Sequence, residues 1–321
     1  MKTVTTTYWR KGQVFAALSK LYDGHHPQRI AQSLARQLHL STGIQGPPYS
    51  PYDFAKSLGI KIEYREVDAE GVFAHGSVGK PRIFIPVPHR DEPSWTERRR
   101  NFTIAHELGH YIIRRTLSGY VAWSVFSDDD PEEEVLCDAF AAELLMPAFV
   151  IAKDLRDSAS DPDSILELMD RYDVSLKSLL RRAVDLGRSF FAAILWRTGG
   201  KRHVVEWAAP SRFRNAVLCD TGKTSVERAF LSREKSRATD YLLLSGRQTH
   251  WLSTSIPLPG KDKVLTTMIR TSHEAGRLFS VPKDPVAGST KTVVPIQRML
   301  PFEEPPVVLA ARRRVTHSSP G

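Results

Sequence analysis

The sequence predicts an α+β fold: a small antiparallel β-meander packed on a helical core, followed by a C-terminal region of mixed α/β character. Three observations point there. Apolar residues recur at helical period over residues 12–40 and again through most of Trp95–Leu186. Between these stretches, Ile60, Ile62 and Tyr64 alternate with charged residues, as in a half-buried strand. Beyond residue 190 the pattern changes to strand-like runs around a Gly199-Gly200 turn.

Taken in order, Val14, Leu18 and Leu21 and then Ile30, Leu34 and Leu38 mark helical faces. The run Gly43-Ile44-Gln45-Gly46-Pro47-Pro48-Tyr49-Ser50-Pro51 reads as a linker. A short helix near Tyr52–Leu58 ends at Gly59. Strands follow at Ile60–Tyr64, Gly71–Val78 and Arg82–Val87, and their spacing suggests a meander. Helices are expected over Glu97–Arg115, Glu133–Leu145 (stopped by Pro147), Ser164–Tyr172 and Ser175–Leu186. The stretch Val174-Ser175 to Arg182 superficially suggests a helix-turn-helix, but no recognition-helix pattern is clear and a supporting helix is the better reading. Phe190–Trp196 and His203–Trp207 form a likely hairpin, Arg212–Leu244 is mixed, and the Pro-rich tail from Val281, with Arg312-Arg313-Arg314, is expected to be disordered. The expected domains are an N-terminal helical segment at 1–46, a helical core domain with its strands at 47–187, and a basic C-terminal domain at 188–321.

With 321 residues, 41% hydrophobic and 25% charged, the chain can bury a sizeable core. No stretch approaches about 18 consecutive apolar residues, so no membrane span is expected. The first ten residues lack the apolar core of a secretory signal, and two distant cysteines, Cys137 and Cys219, make no disulfide framework. A cytoplasmic protein is expected. Residues 1–187 hold 23 Lys+Arg and 26 Asp+Glu, 23 − 26 = −3, whereas residues 188–321 hold 22 and 10, 22 − 10 = +12. The basic surplus therefore lies wholly in the C-terminal part. It could attract nucleic acid or an acidic partner, or be no more than a solvated surface.

The chemistry concentrates in His106-Glu107-Leu108-Gly109-His110. On a helix, residues four apart share a face, so both imidazoles can reach one ion, and neutral imidazole is a preferred zinc ligand. Glu107 lies beside the pair, where it can hydrogen-bond a water rather than bind the ion. A catalytic zinc site needs a third protein ligand. Downstream, Glu134 and Asp138 are four apart and share a helix face with Ala141 and Ala142, small enough for close approach to the first helix. Glu134 can then be the third ligand, while Asp138 accepts a hydrogen bond from a ligand histidine and fixes its tautomer. Glu132, Glu133 and Glu143 compete for the third position, but Glu134 alone combines the i+4 acid with the small face.

The run Arg99-Arg100-Asn101-Phe102-Thr103-Ile104-Ala105-His106-Glu107-Leu108-Gly109-His110-Tyr111, followed by Glu134-x-x-Cys-Asp-x-Phe-Ala-Ala-Glu-Leu-Leu-Met-Pro, resembles the ImmA/IrrE-type zinc metallopeptidases over roughly residues 50–187. The resemblance implies a zincin-like metallopeptidase core, His106, His110 and Glu134 as ligands of Zn2+ (other divalent transition metals also fit) and Glu107 as base. It also implies a biological task, proteolysis of a helix-turn-helix repressor in stress response or mobile-element control. Cys137-Asp138 departs from the family, which more often has Ala-Asn there. Asp138 can still orient a histidine, and Cys137 reads as a small packing residue.

Glu107 is expected to take a proton from the attacking water and return it to the leaving amine. Tyr111, Tyr120 and His75 are candidate donors to the oxyanion. Pro86 suggests that Arg82–Val87 is an edge strand, to which an extended peptide could add, or else an ordinary scaffold strand. Beside the regulatory protease stand two other readings: a DNA-associated or signal-sensing regulator, and an inactive relative that binds a repressor without cutting it. The intact ligand set and Glu107 argue against the last.

Overall fold

The computed structural model describes residues 13–66, 71–74, 81–87, 94–120, 126, 130–159, 161–187, 190–199, 202–219, 224–259 and 262–270. The expected tail from Val281, with its three arginines, lies outside them, as do His75 and the end of the expected strand Gly71–Val78. The chain divides into two compact units, one within Met1–Pro147 and one within Ala148–Pro282.

The first unit opens with α1 (Gln13–Leu21), α2 (Pro27–Thr42) and α3 (Pro51–Ser57). Proline at the first turn of α2 has no N–H to leave unpaired. The helix ends at Gly43, whose φ of 65° fits a residue without Cβ and whose N–H reaches the His39 carbonyl. Strands β1 (Lys61–Arg65), β2 (Val72–Ala74) and β3 (Arg82–Pro86) form a sheet in the order β1-β3-β2. This corrects the expected meander: β1 and β3 are parallel, and only β2 and β3 are antiparallel. Alternation of side chains reveals a strand but not its neighbours. Of the two readings open for Arg82–Val87, edge strand or scaffold strand, the sheet order fits the second. β3 is the central strand, and Pro86 is tolerated because it pairs with Arg65 at the strand's end. The short β2 lies at the edge.

Two long helices complete this unit, α4 (Ser94–Leu117) and α5 (Pro131–Leu145). Asp130 caps α5 by accepting from the Glu132 N–H at 3.0 Å, with Pro131 in the first turn. Glu132, Glu133 and Glu134 follow at the positive end of its dipole. Helix α5 is held from its other side by α2: Arg36 bridges to the buried Glu143 at 3.1 Å, and the His39 ring meets the Leu144 carbonyl at 2.7 Å.

In the second unit, α6 (Ala148–Ser158), α7 (Pro162–Tyr172) and α8 (Leu176–Gly187) precede β4 (Phe191–Gly199), β5 (Arg202–Ala209), β6 (Val217–Leu218), α9 (Ser225–Ser232), β7 (Ser236–Leu244), β8 (Arg247–Pro257) and β9 (Lys263–Ile269). The expected hairpin is β4–β5. The mixed stretch resolves into β6, α9 and β7 in a six-stranded antiparallel sheet of order β5-β4-β9-β8-β7-β6. Ala192, Ile194 and Trp196 face a core shared with Val226, Ala229 and Phe230 of α9. Helices α7 and α8, which the sequence grouped with the metal motif, pack against β4, β8 and β9.

Candidate metal centre

Burial of Ile104, Ala105, Leu108, Ile112 and Ile113 fixes the rotation of α4 and turns His106 and His110 toward α5. Their ring centroids lie 5.0 Å apart. The two helices approach closely because Gly109 has no side chain: a Cβ there would lie 3.1 Å from the Cα of Cys137. The contact expected at Ala141 and Ala142 is thus made one turn earlier on α5, against a glycine inside the motif itself.

Glu134 lies between the histidines. Its Oε2 is 3.3 Å from His106 Nε2 and its Oε1 is 3.3 Å from His110 Nε2. The opposite ring nitrogens are also engaged. His106 Nδ1 lies 3.0 Å from Asp138 Oδ1, and His110 Nδ1 lies 2.7 Å from Glu133 Oε1. The structure thus brings His106, His110, Glu134 and Asp138 together. Of the competitors for the third ligand, Glu143 is turned away to Arg36, and Glu133 faces Nδ1 rather than Nε2. Glu107 is buried, and its carboxylate comes close to Gly71 at the start of β2: a Cβ on Gly71 would lie 3.1 Å from Glu107 Oε1 and 2.5 Å from Thr103 Cγ2.

Three residues of this arrangement were not singled out as contributors by sequence reasoning. Glu133 reads in the sequence as a competing ligand, but in the structure it holds the outer nitrogen of His110. Arg114 donates through Nε to Glu133 Oε1 at 2.7 Å, and its signal was its place one turn beyond His110. Cys137, expected merely to pack, is fully buried, and its sulfur and a nitrogen of each imidazole all lie within 4.8 Å of one another. Among the oxyanion candidates, Tyr111 is buried against Phe73, with its hydroxyl contacted by Arg115, while Tyr120 is exposed.

The electrostatics are those of two imidazoles set among carboxylates. Burial works against the charged form of His106, but Asp138 and Glu134 outweigh it and raise the ring to about 9. His110 is raised well above its ordinary value, again against burial, by the Cys137 sulfur and by Glu133 and Glu134. Burial alone would raise Glu134, yet the two imidazoles hold it well below the usual carboxylate range. Burial pushes the Cys137 thiol up to about 12. These shifts provide a test of fit for a divalent ion. Without an ion, a proton on every ring nitrogen is what satisfies the surrounding carboxylates. A divalent ion can replace the two inner protons, leaving neutral rings whose Nε2 lone pairs face it. The donor set, two imidazoles and a carboxylate, is one that zinc accepts.

Two histidines four apart on one helix, a glutamate beside the first and a carboxylate from a neighbouring helix define a candidate metal centre in an α+β scaffold. Residues 55–184 match the profile of the Peptidase_M78 family, described as the IrrE N-terminal-like domain. No curated protein matches the sequence. Among solved structures, a Mycobacterium tuberculosis transcriptional regulator is similar at a TM-score of 0.46 and 14% identity, over 89% of this chain and 86% of that one. That likeness bears on neither the chemistry nor the partners of this chain.

Proposed function

We propose that this chain is a zinc-dependent endopeptidase, a site-specific regulatory protease whose substrate is a helix-turn-helix repressor in stress response or mobile-element control. The observation that carries the reading is Glu134, whose two carboxylate oxygens each lie 3.3 Å from the Nε2 of a motif histidine. His106, His110 and Glu134 would hold the ion, and Asp138 keeps the His106 ring oriented. Glu134 is preferred to Cys137 as third ligand because its two carboxylate oxygens face the inner nitrogens of both imidazoles. The bound ion supplies Lewis acidity toward a peptide carbonyl and lowers the pKa of water. Glu107 then accepts the proton of the attacking water and delivers it to the leaving amine.

The substrate strand is assigned to the free side of β2 rather than to β3. Among the described residues β2 is the edge of its sheet, and Gly71 just before it lies against Glu107. An extended peptide added there would bring its carbonyls past the base by backbone hydrogen bonds. Among the described residues no single helix is long and apolar enough to cross a membrane, and a cytoplasmic site of action suits a repressor substrate. The charge of +12 on residues 188–321 supports a second, compatible role, in which the C-terminal part engages nucleic acid or senses a signal.

The test is incubation of the chain with a helix-turn-helix repressor from the neighbouring reading frame, with zinc and with chelator. Glu107→Gln should retain zinc and lose cleavage, since an amide cannot accept the proton. Cleavage by that variant at the wild-type rate would remove Glu107 as base.

A further inference from the structure

The two histidines are held in unequal ways. Asp138, which holds His106, has a side chain 59% exposed. Glu133, which holds His110, has a side chain 0% exposed and is itself gripped by Arg114, through Nε at 2.7 Å and Nη2 at 3.5 Å. Arg114 is also buried, and its guanidinium lies 5.6 Å from the centre of the Phe126 ring. An ionised carboxylate is an acceptor only, so Glu133 demands a hydrogen on Nδ1 of His110 and leaves Nε2 free to face an ion. Arg114 carries donors only, so it can hold the carboxylate but cannot bind the ion in the imidazole's place. Its fork fixes one oxygen of Glu133 at the point where the ring needs it. A buried pair of this kind contributes little to stability compared with apolar residues of similar volume. Its use lies in what it holds still.

We propose that Arg114 and Glu133 are positioning residues that pre-set His110 as the resident ligand of the centre, in the metal-free as in the loaded protein, while His106 is the looser arm. The proposal rests on the metal reading above. The same two helices supply a ligand and its holder at each step: Arg114 stands one turn after His110 on α4, and Glu133 stands immediately before Glu134 on α5. Rotation of either helix would therefore disturb both together.

The experiment uses the full chain as wild type, Arg114→Met, Arg114→Lys, Glu133→Gln and Asp138→Asn. The zinc dissociation constant of the folded protein is measured by competition with a chromophoric chelator, with thermal unfolding followed in parallel. Arg114→Met and Glu133→Gln should each weaken zinc binding by about tenfold or more. Arg114→Lys, which restores a cation to Glu133, should recover part of the loss, and Asp138→Asn should cost less than Glu133→Gln. If Arg114→Met does not fold, the nearly isosteric Glu133→Gln decides alone. Variants that melt earlier but bind zinc as tightly as wild type would overturn the proposal and leave the pair as a purely structural contact. Asp138→Asn costing as much as Glu133→Gln would overturn the inequality of the two arms. A wild-type chain that takes up no zinc would remove the metal reading itself, and this inference with it.

Discussion

Gly109 and Cys137 meet backbone to backbone: a methyl group on the glycine would stand 3.1 Å from the Cα and 3.2 Å from the Cβ of the cysteine. Everything that α5 brings to the histidines depends on that approach. Gly109→Ala gains about 1 kcal/mol of helix propensity, but overpacking against a backbone costs about 1–3 kcal/mol. The second effect should win, because Cys137 is fully buried and its main chain cannot swing aside as a flexible side chain would. The variant should melt earlier and bind zinc more weakly. Unchanged values of both would mean that the two helices separate without consequence for the centre.

Gly71 allows a different test of the base. A Cβ there would lie 2.5 Å from Thr103 Cγ2 and 3.1 Å from Glu107 Oε1, so something must move. Gly71→Ala should lower the cleavage rate while leaving zinc content intact, since no proposed ligand touches Gly71. Loss of zinc in this variant would show that β2 supports the ligands rather than the base.

The centre was legible in the sequence where helical periodicity decides geometry. His106 and His110, and likewise Glu134 and Asp138, are each four apart, and one turn of helix puts each pair on a single face. What could not be read was the rotation of α5 within its surroundings. Three consecutive glutamates, 132 to 134, point in three directions, and only the contact at Gly109 and the anchoring of Glu143 by Arg36 decide which one faces Nε2. Sheet neighbours were hidden for a similar reason. Alternation in Ile60–Tyr64 marks a strand, but its parallel partner is β3, two strands on in the chain. Helix α6 is hidden in the sequence because Pro147 stops α5 and also stands just before the next helix, a place that suits a proline equally well.

Zinc affinity should depend on pH over an unusual range. In the metal-free protein Asp138 and Glu134 overcome burial and keep His106 protonated up to about 9, well above an ordinary histidine at about 6.5. Zinc must displace such protons, so its affinity should still be climbing as pH rises through neutrality toward about 9. The same raised value means that His106 stabilises the metal-free fold fully below about pH 6.5 and ceases to do so as pH passes about 9. Chelator competition at several pH values checks this, and an affinity that is flat above pH 7 would contradict it.

A buried polar cluster holds α9 to its sheet in the second unit. Asp240 accepts from the Ser225 N–H at 2.9 Å and from its hydroxyl at 2.5 Å, and Ser255 links Ser225 to Thr266. Asp240→Ala leaves these donors buried and unpaired, at a cost of about 1–3 kcal/mol. Calorimetry should show a lower unfolding temperature for this unit, with zinc stoichiometry unchanged because the proposed ligands belong to the other unit. An unchanged melting profile would mean that the cluster is replaceable by water.

The central claim is that His106, His110 and Glu134 share one metal ion. Anomalous diffraction at the zinc edge, from crystals of the zinc-loaded full chain, tests it most directly. A single peak is expected, bonded to Nε2 of both histidines and to a carboxylate oxygen of Glu134, with Asp138 and Glu133 still on the Nδ1 atoms. A peak ligated by Cys137 in place of Glu134, or no peak between the histidines at all, would contradict it.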